Sequence, residues 1–413
     1  MKRAALLLAG ALVSLSLQAQ NKKIYIPEDL RKMNLQADTS QWSLKHSIET
    51  DDLILMWERG FGPDTSNPPM LEGKPMGFNL ANLRDRVQSF YTFFRDTLQF
   101  SLPGSKCDQY KMMVMVMYSL DGTAYGGTYD NFIGALWVAP NRIQDQKMNC
   151  MAHELGHSFQ LQIPADSVGD AWGGSGFFEM TSQWMLWQVN PDWLTDENYH
   201  FEAFKQLTHK AYLHLDNIYH SPFVIQWWSD LHGRKSIAEL YRQGRIGEDP
   251  VMTYKRMYGL SQTQFCSELF LGYQHLLNFD FKHARQETRP YACTFKTELD
   301  TLRGGWLRPK HVPEAYGFNA IKLPPSNCVR LQLRGKNVCY GFVGVTTTGQ
   351  SIYSPIGATV FSVPAGQQWQ HLYLLVMGAP TVHRQLPMPT DQPSAAPVPN
   401  PTFPYRFRVT FPQ

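Results

Sequence analysis

The segment His153-Glu-Leu-Gly-His157 constrains this chain more than any other stretch. Two imidazoles four residues apart share a face only where the backbone is helical. Glu154 then falls about 100° round the axis from His153, beside whatever the two histidines hold. Converging neutral imidazoles with one more carboxylate and an open position are the ligand set of a catalytic zinc ion, so zinc is the expected metal. Glu154 is not needed as a ligand and is placed to take a proton from water at the open position. The pattern predicts a helix from about Gln146 to Leu161 with a metal-binding face.

A third ligand has to come from another element. Glu179, in Gly176-Phe-Phe-Glu-Met-Thr-Ser-Gln183, is the expected one. It follows His157 by 22 positions, in the first turn of a helix predicted from Phe177 to Val189 and ended by Asn190-Pro191. Such a helix can fold back antiparallel and present a carboxylate. Asp166 and Asp170 compete from the intervening loop, where carboxylates more often cap or solvate the next element. Cys150, one turn before His153, reads as a buried thiol rather than a ligand. Gln160, one turn beyond His157, could brace Glu179 or hold substrate.

These residues carry a resemblance. HELGH with a downstream helical Glu resembles the gluzincin metallopeptidases, and His153 to Gln160 followed by an aromatic-flanked Glu is most similar to their enhancin-like, mucin-targeting members. From Tyr25-Ile-Pro-Glu-Asp-Leu onward the chain also resembles a family of exported gut-bacterial proteins of unassigned function. The gluzincin resemblance implies a zincin-like catalytic domain in which His153, His157 and Glu179 bind zinc and Glu154 is the general base. It further implies a histidine-bracing Asp one turn after the ligand Glu, a position held here by Gln183, with Ser182 beside it. Tyr219 and His220 would be the candidates for a donor to a developing oxyanion, as a Tyr or His is in gluzincins.

The remaining sequence sets the surroundings. Lys2 and Arg3, an apolar run to about Leu17 and the small-residue site at Leu17-Gln-Ala19 predict an export signal over residues 1–19. The expected location is the periplasm, the cell surface or the medium. That run is too short for a permanent span, and no other stretch is apolar for long enough. Without Lys2 and Arg3 the formal charge falls from +3 to +1. With no run of like charges either, nucleic acid is not an expected partner. Six cysteines in an exported chain permit up to three disulfides, with Cys328 and Cys339 the first expected pair.

Along the chain, Asp52–Trp57, Met112–Tyr118 and Phe132–Val138 read as buried strands, and 82–99 as an amphipathic helix. Gly122–Tyr129 reads as a glycine-rich turn, and Gly134–Pro140 either as a plain buried strand or, as the gluzincin resemblance implies, as the edge strand that pairs with an extended peptide. Residues 197–290 are helical in pattern. Alternation at 329–333 and 403–411, with a strand-like run at 371–377, predicts an all-strand end, interrupted by a proline-rich excursion over 387–401.

The expected fold is therefore α+β: a zincin-like metal-binding domain over 20–195, a helical subdomain over 196–310 and a C-terminal β-sandwich over 311–413. The expected function is a secreted zinc metallopeptidase acting on proteins or glycoproteins. The alternative is a secreted glycan- or glycoprotein-binding or interaction protein whose zinc site is structural or vestigial.

Overall fold

Leu53-Ile-Leu-Met-Trp57 forms a strand in which all five side chains are buried. A strand buried on both faces requires a layer on each side. In the computed structural model, which describes residues 21–170, 172, 176–283, 286–385 and 400–412, both layers come from the flanking sequence. The expected export signal lies outside the described residues, as do Gly173, Gly174 and Ser175 and most of the proline-rich excursion.

After a short α1 (Glu28–Arg31), the first sheet is built from β1 (Ser47–Glu49), β2 (Leu53–Trp57), β3 (Met112–Val116), β4 (Ala124–Tyr129) and β5 (Ile133–Val138). Their order is β1-β2-β3-β5-β4. The inner pairs β2–β3 and β3–β5 are parallel, and β1 and β4 are antiparallel edges. Side chains alternate between the faces. Leu53, Leu55, Val114, Val116, Leu136 and Val138 enter the main core with α2 (Leu80–Thr92) and α3 (Asn149–Ala165). Ile54, Met56, Met113, Met115 and Ala135 pack instead with Leu30 and Trp42.

The edge of this sheet differs from the sequence expectation. Residues 124–129 are a strand, not a turn, paired with β5 from Ala124↔Val138 to Tyr129↔Ile133. β4 is therefore the edge, and the segment expected there, 134–140, supplies the interior strand β5. The glycines serve proximity rather than turning. A Cβ on Gly126 would lie 1.8 Å from the carbonyl oxygen of Glu154 and 2.9 Å from His157 Cβ. A tight turn and a close backbone approach both select glycine, so the composition of the segment does not separate them.

Helices follow: α4 (Phe177–Val189), α5 (Trp193–Asp196), α6 (Asn198–Leu207), α7 (Phe223–His232), α8 (Lys235–Gln243), α9 (Pro250–Tyr258) and α10 (Gln262–Leu277). Among the described residues no helix is long and apolar enough to cross a membrane. Trp172, Trp184 and Trp187 are all core residues.

The chain ends in two antiparallel sheets. One, ordered β11-β10-β13-β8, comprises β8 (Phe318–Leu323), β10 (Val338–Thr346), β11 (Ser351–Tyr353) and β13 (Trp369–Gly378). The other, ordered β12-β9-β14-β7-β6, comprises β6 (Leu299–Leu302), β7 (Trp306–Pro309), β9 (Cys328–Gly335), β12 (Val360–Ser362) and β14 (Tyr405–Thr410). Ile321, Phe342, Leu372 and Leu374 of the first share a cluster with Val329, Leu331 and Phe407 of the second. The expected Cys328–Cys339 pair does not form, and all six cysteines are free. Cys328 stands on β9 and Cys339 on β10, in different sheets, with Cys339 opposite Met377.

Candidate metal centre

The histidines stand on α3, whose start is held by Asp145 Oδ1 accepting from the Met148 N–H at 2.7 Å. Gly156 between them is what lets α4 approach. A Cβ there would meet Ser182 Oγ at 2.8 Å and Met185 Sδ at 3.4 Å. Further along, Gln160 donates to Phe178 O at 3.1 Å. Contacts that run from 160 to 178 and from 156 to 182 and 185 make the two helices antiparallel.

That packing brings Glu179 onto both imidazoles. Glu179 Oε2 lies 3.0 Å from His153 Nε2 and 3.2 Å from His157 Nε2, and the two nitrogens are 3.1 Å apart. Side-chain exposure is 12% for His153, 11% for His157 and 23% for Glu179, so the cluster is walled but reachable. Three donors on one tetrahedral zinc stand about 3.4 Å from each other at ordinary bond lengths, close to the separations here. Two acceptor nitrogens and a carboxylate oxygen crowded into so small a triangle repel each other unless a proton or a cation sits among them. The residues fit zinc.

Gln160 settles how His157 is presented. Its amide nitrogen donates to Phe178 O and to Ser182 Oγ (3.2 Å), which turns Oε1 toward His157 Nδ1 at 3.1 Å. A carbonyl oxygen accepts only, so in the neutral ring Nδ1 carries the proton and the Nε2 lone pair faces Glu179, open to a proton or a cation. Gln160 is completely buried. It braces His157 rather than Glu179.

Electrostatics favour a positive charge, a proton or a cation, within the triangle. Burial opposes the charged form of His157, but the hydrogen bond and charge of Glu179, aided by Glu154, outweigh it and hold the imidazole above its ordinary pKa. Burial would raise Glu179, yet its hydrogen bonds and charge contacts with the two histidines hold it far below the carboxylate range. Glu154 is half-buried, and its carboxylate makes no hydrogen bond or ion pair among the described residues.

The other candidates separate. Tyr219 stacks on His153, ring centroids 6.3 Å apart at 25°, and is 42% exposed. His220 Nδ1 lies 2.7 Å from Nδ1 of His200, a residue that nothing in the sequence singled out. Gln183 does not brace a metal-site histidine; its amide nitrogen is 3.2 Å from His200 Nε2. The position one turn after Glu179 thus points away from the donors, and Gln160 and Ser182 take over the bracing. Burial, with the charges of His220 and His153, pushes His200 down to about 4. Asp166 is committed elsewhere, accepting from Ser105 Oγ (2.5 Å), the Lys106 N–H (3.1 Å) and Gln162 Nε2 (3.0 Å). Neither Asp166 nor Asp170 belongs to the donor cluster. Cys150 is pushed up to about 12 by burial and the charge of Glu154, as an inert thiol is.

Among solved structures, the chain is similar to the ZmpB metallopeptidase from Clostridium perfringens, at 12% identity over 82% of this chain and 67% of that one, with a TM-score of 0.33. It is also similar to the M60 catalytic domain of Clostridium perfringens ZmpC, solved with the sialyl T antigen, at 11% identity over 84% and 69%, with a TM-score of 0.32. Likenesses that weak assign no residue a role. No curated protein matches the chain. One family description does match, and it spans residues 16–411: the chain belongs to the family of unknown function DUF6055.

Proposed function

We propose that this chain is an exported zinc peptidase that hydrolyses peptide bonds of proteins or glycoproteins. The observation that carries the reading is the triangle of His153, His157 and Glu179 donor atoms, 3.0–3.2 Å on each side, with the uncommitted Glu154 on the same helix. In this reading the first sheet, α3 and α4 form a zincin-like unit, and the two C-terminal sheets form a β-sandwich.

His153, His157 and Glu179 would hold the ion, with His157 oriented by Gln160. Zinc there supplies Lewis-acid polarisation of the scissile carbonyl and lowers the pKa of water. Glu154 takes the proton of the attacking water and returns it to the leaving amine. Tyr219, standing over His153 and partly exposed, is the side chain best placed to donate to the developing oxyanion. The substrate backbone lies along β4, the free edge, which Gly126 keeps flush against the turn of α3 that carries Glu154 and His157. Pairing with a strand edge uses backbone groups and tolerates many side chains.

The test compares zinc content and peptide turnover in the wild type and Glu154→Gln. Gln matches Glu in shape but takes no proton at neutral pH, so zinc should remain and turnover should fall by at least about 100-fold. Unchanged turnover would remove Glu154 from the chemistry. A fully zinc-loaded wild type that cleaves neither mucin-like nor unglycosylated substrates would overturn the peptidase reading.

A further inference from the structure

The outer face of the β12-β9-β14-β7-β6 sheet is predominantly basic. Because Val329, Leu331, Tyr405 and Phe407 fill the shared core, the alternate residues Arg330, Gln332 and Arg334 of β9 and Arg406 and Arg408 of β14 point outward. The register Phe407↔Leu307 turns Leu307 inward and Trp306 outward. Arg334 stands directly opposite Arg406, and Gln332 opposite Arg408. Like charges facing each other across a strand pair oppose sheet formation.

Trp306 relieves part of that repulsion. Its ring lies 4.9 Å from Arg334 Cζ, 5.2 Å from Arg406 Cζ and 5.6 Å from Arg408 Cζ. One indole therefore holds three guanidiniums by cation–π attraction and restricts their planes. None of the three, nor Arg330, meets a carboxylate among the described residues; Asp300 of β6 is taken by Arg308 at 3.1 Å, and Glu298, just before β6, by Lys310 at 2.8 Å. Arg408 donates to Gln332 Oε1 at 2.8 Å, and its Nε is buried with no partner. In a chain with 38 basic and 35 acidic residues, a face so poor in acid is not a consequence of overall charge.

We propose that this face binds an acidic polysaccharide through the carboxylates of its sugars, a role separate from the peptidase reading. A guanidinium pairs bidentately with a carboxylate. Several guanidiniums a strand spacing apart suit a chain with repeated carboxylates better than one small acid, because each further contact forms intramolecularly. Ordering of the three side chains by Trp306 lowers the entropy lost on binding. Single-stranded nucleic acid fits less well, because its binders offer a groove with aromatic rings open to base stacking. Here the ring is already occupied by guanidiniums and the surface is an open sheet face.

The experiment measures binding of the full chain to hyaluronate and polygalacturonate, with dextran, an oligodeoxynucleotide and anionic phospholipid vesicles as the other arms. Both uronate polymers should bind, with affinity falling as salt rises. Arg334→Gln/Arg406→Gln should lose about tenfold or more of that affinity, with zinc content unchanged and thermal stability unchanged or higher. Arg334→Lys/Arg406→Lys keeps the charge without the bidentate fork and should bind uronate between the two. The proposal is overturned if neither uronate polymer binds or if dextran binds as well. It is equally overturned if the charge-removing variant binds undiminished, or if the oligonucleotide or the vesicles are held more tightly than uronate.

Discussion

In the proposed zinc site, His157 has opposite consequences for the free and the metal-bound protein. Its raised pKa means that a proton competes with zinc at a higher pH than for ordinary imidazole, about 6.5. A raised folded pKa stabilises the metal-free protein below the unfolded value, and that contribution is lost as pH rises through the folded one. Glu179, depressed, contributes above the carboxylate range, about 4.3, and loses its contribution only as pH falls through its low folded value, so it stays ionised across neutrality. The rise in melting temperature on adding zinc should therefore shrink as pH falls from about 8 to about 6. Melting curves with and without zinc across that range measure it, and a gain that grew on acidification would contradict the ligand assignment. Gln160 permits a second measurement. Gln160→Ala removes the acceptor that fixes the His157 tautomer and should weaken zinc by about 10- to 100-fold. Competition with a chelator reads that loss, and unchanged affinity would mean that Ser182 alone suffices. The spacing in HELGH and the aromatic-flanked Glu179 made the three converging donors legible, because helical geometry is local. Which glutamine braces them was not, because that depends on how α4 is rotated against α3, and Gln183 faces His200 instead.

At the level of elements, glycine misled at β4 for a definable reason. A segment holding Gly122, Gly126 and Gly127 looks like a turn, yet only Gly122 has a positive φ, 74°. The other two are glycines because of what touches them. At Gly126 the obstacle is backbone, the Glu154 carbonyl 1.8 Å from a Cβ, whereas at Gly127 it is the outer ring of the exposed Tyr125 at 2.9 Å. Gly126→Ala should consequently cost about 3 kcal/mol and weaken zinc, since β4 or α3 must shift at the turn carrying His157. Gly127→Ala, relieved by a rotation of Tyr125, should cost under about 1 kcal/mol. Denaturant titration of the two variants compares them, and equal losses would show that the glycine pair acts through backbone freedom and not through the contact. The long elements β2, β3, α3 and α4 were legible from apolar runs and helical spacing. Their lateral order was not, because a run of buried residues does not say which strand will be its neighbour.

In the whole molecule, the division expected near residues 195 and 310 runs into a shared interior. The face of the β11-β10-β13-β8 sheet turned away from its partner sheet carries Val343, Val345, Tyr373, Leu375 and Met377, and these belong to the same core as Leu53 of the first sheet and Trp184 of α4. Polar ties follow the apolar ones. Gln274 of α10, fully buried, donates to Phe342 O at 3.1 Å and Ser354 O at 3.2 Å. After β13 the chain brings His383 Nε2 to within 2.6 Å of Asp249 Oδ2, and Oδ1 of the same aspartate caps α9. Each buried Val, Leu or Met contributes about 1.5–3 kcal/mol, so baring Val343, Val345, Leu375 and Met377 forfeits on the order of 10 kcal/mol, as much as a typical domain's net stability. Residues 297–413, which hold every strand of both sheets, should therefore fail to fold cooperatively when expressed alone and should self-associate through that face, while the full chain unfolds in a single calorimetric transition that includes the C-terminal sheets. Calorimetry and sedimentation of the fragment beside the whole chain test this. A monomeric fragment with its own sharp transition would make the C-terminal sheets an independent domain, and the shared core a contact between two finished units.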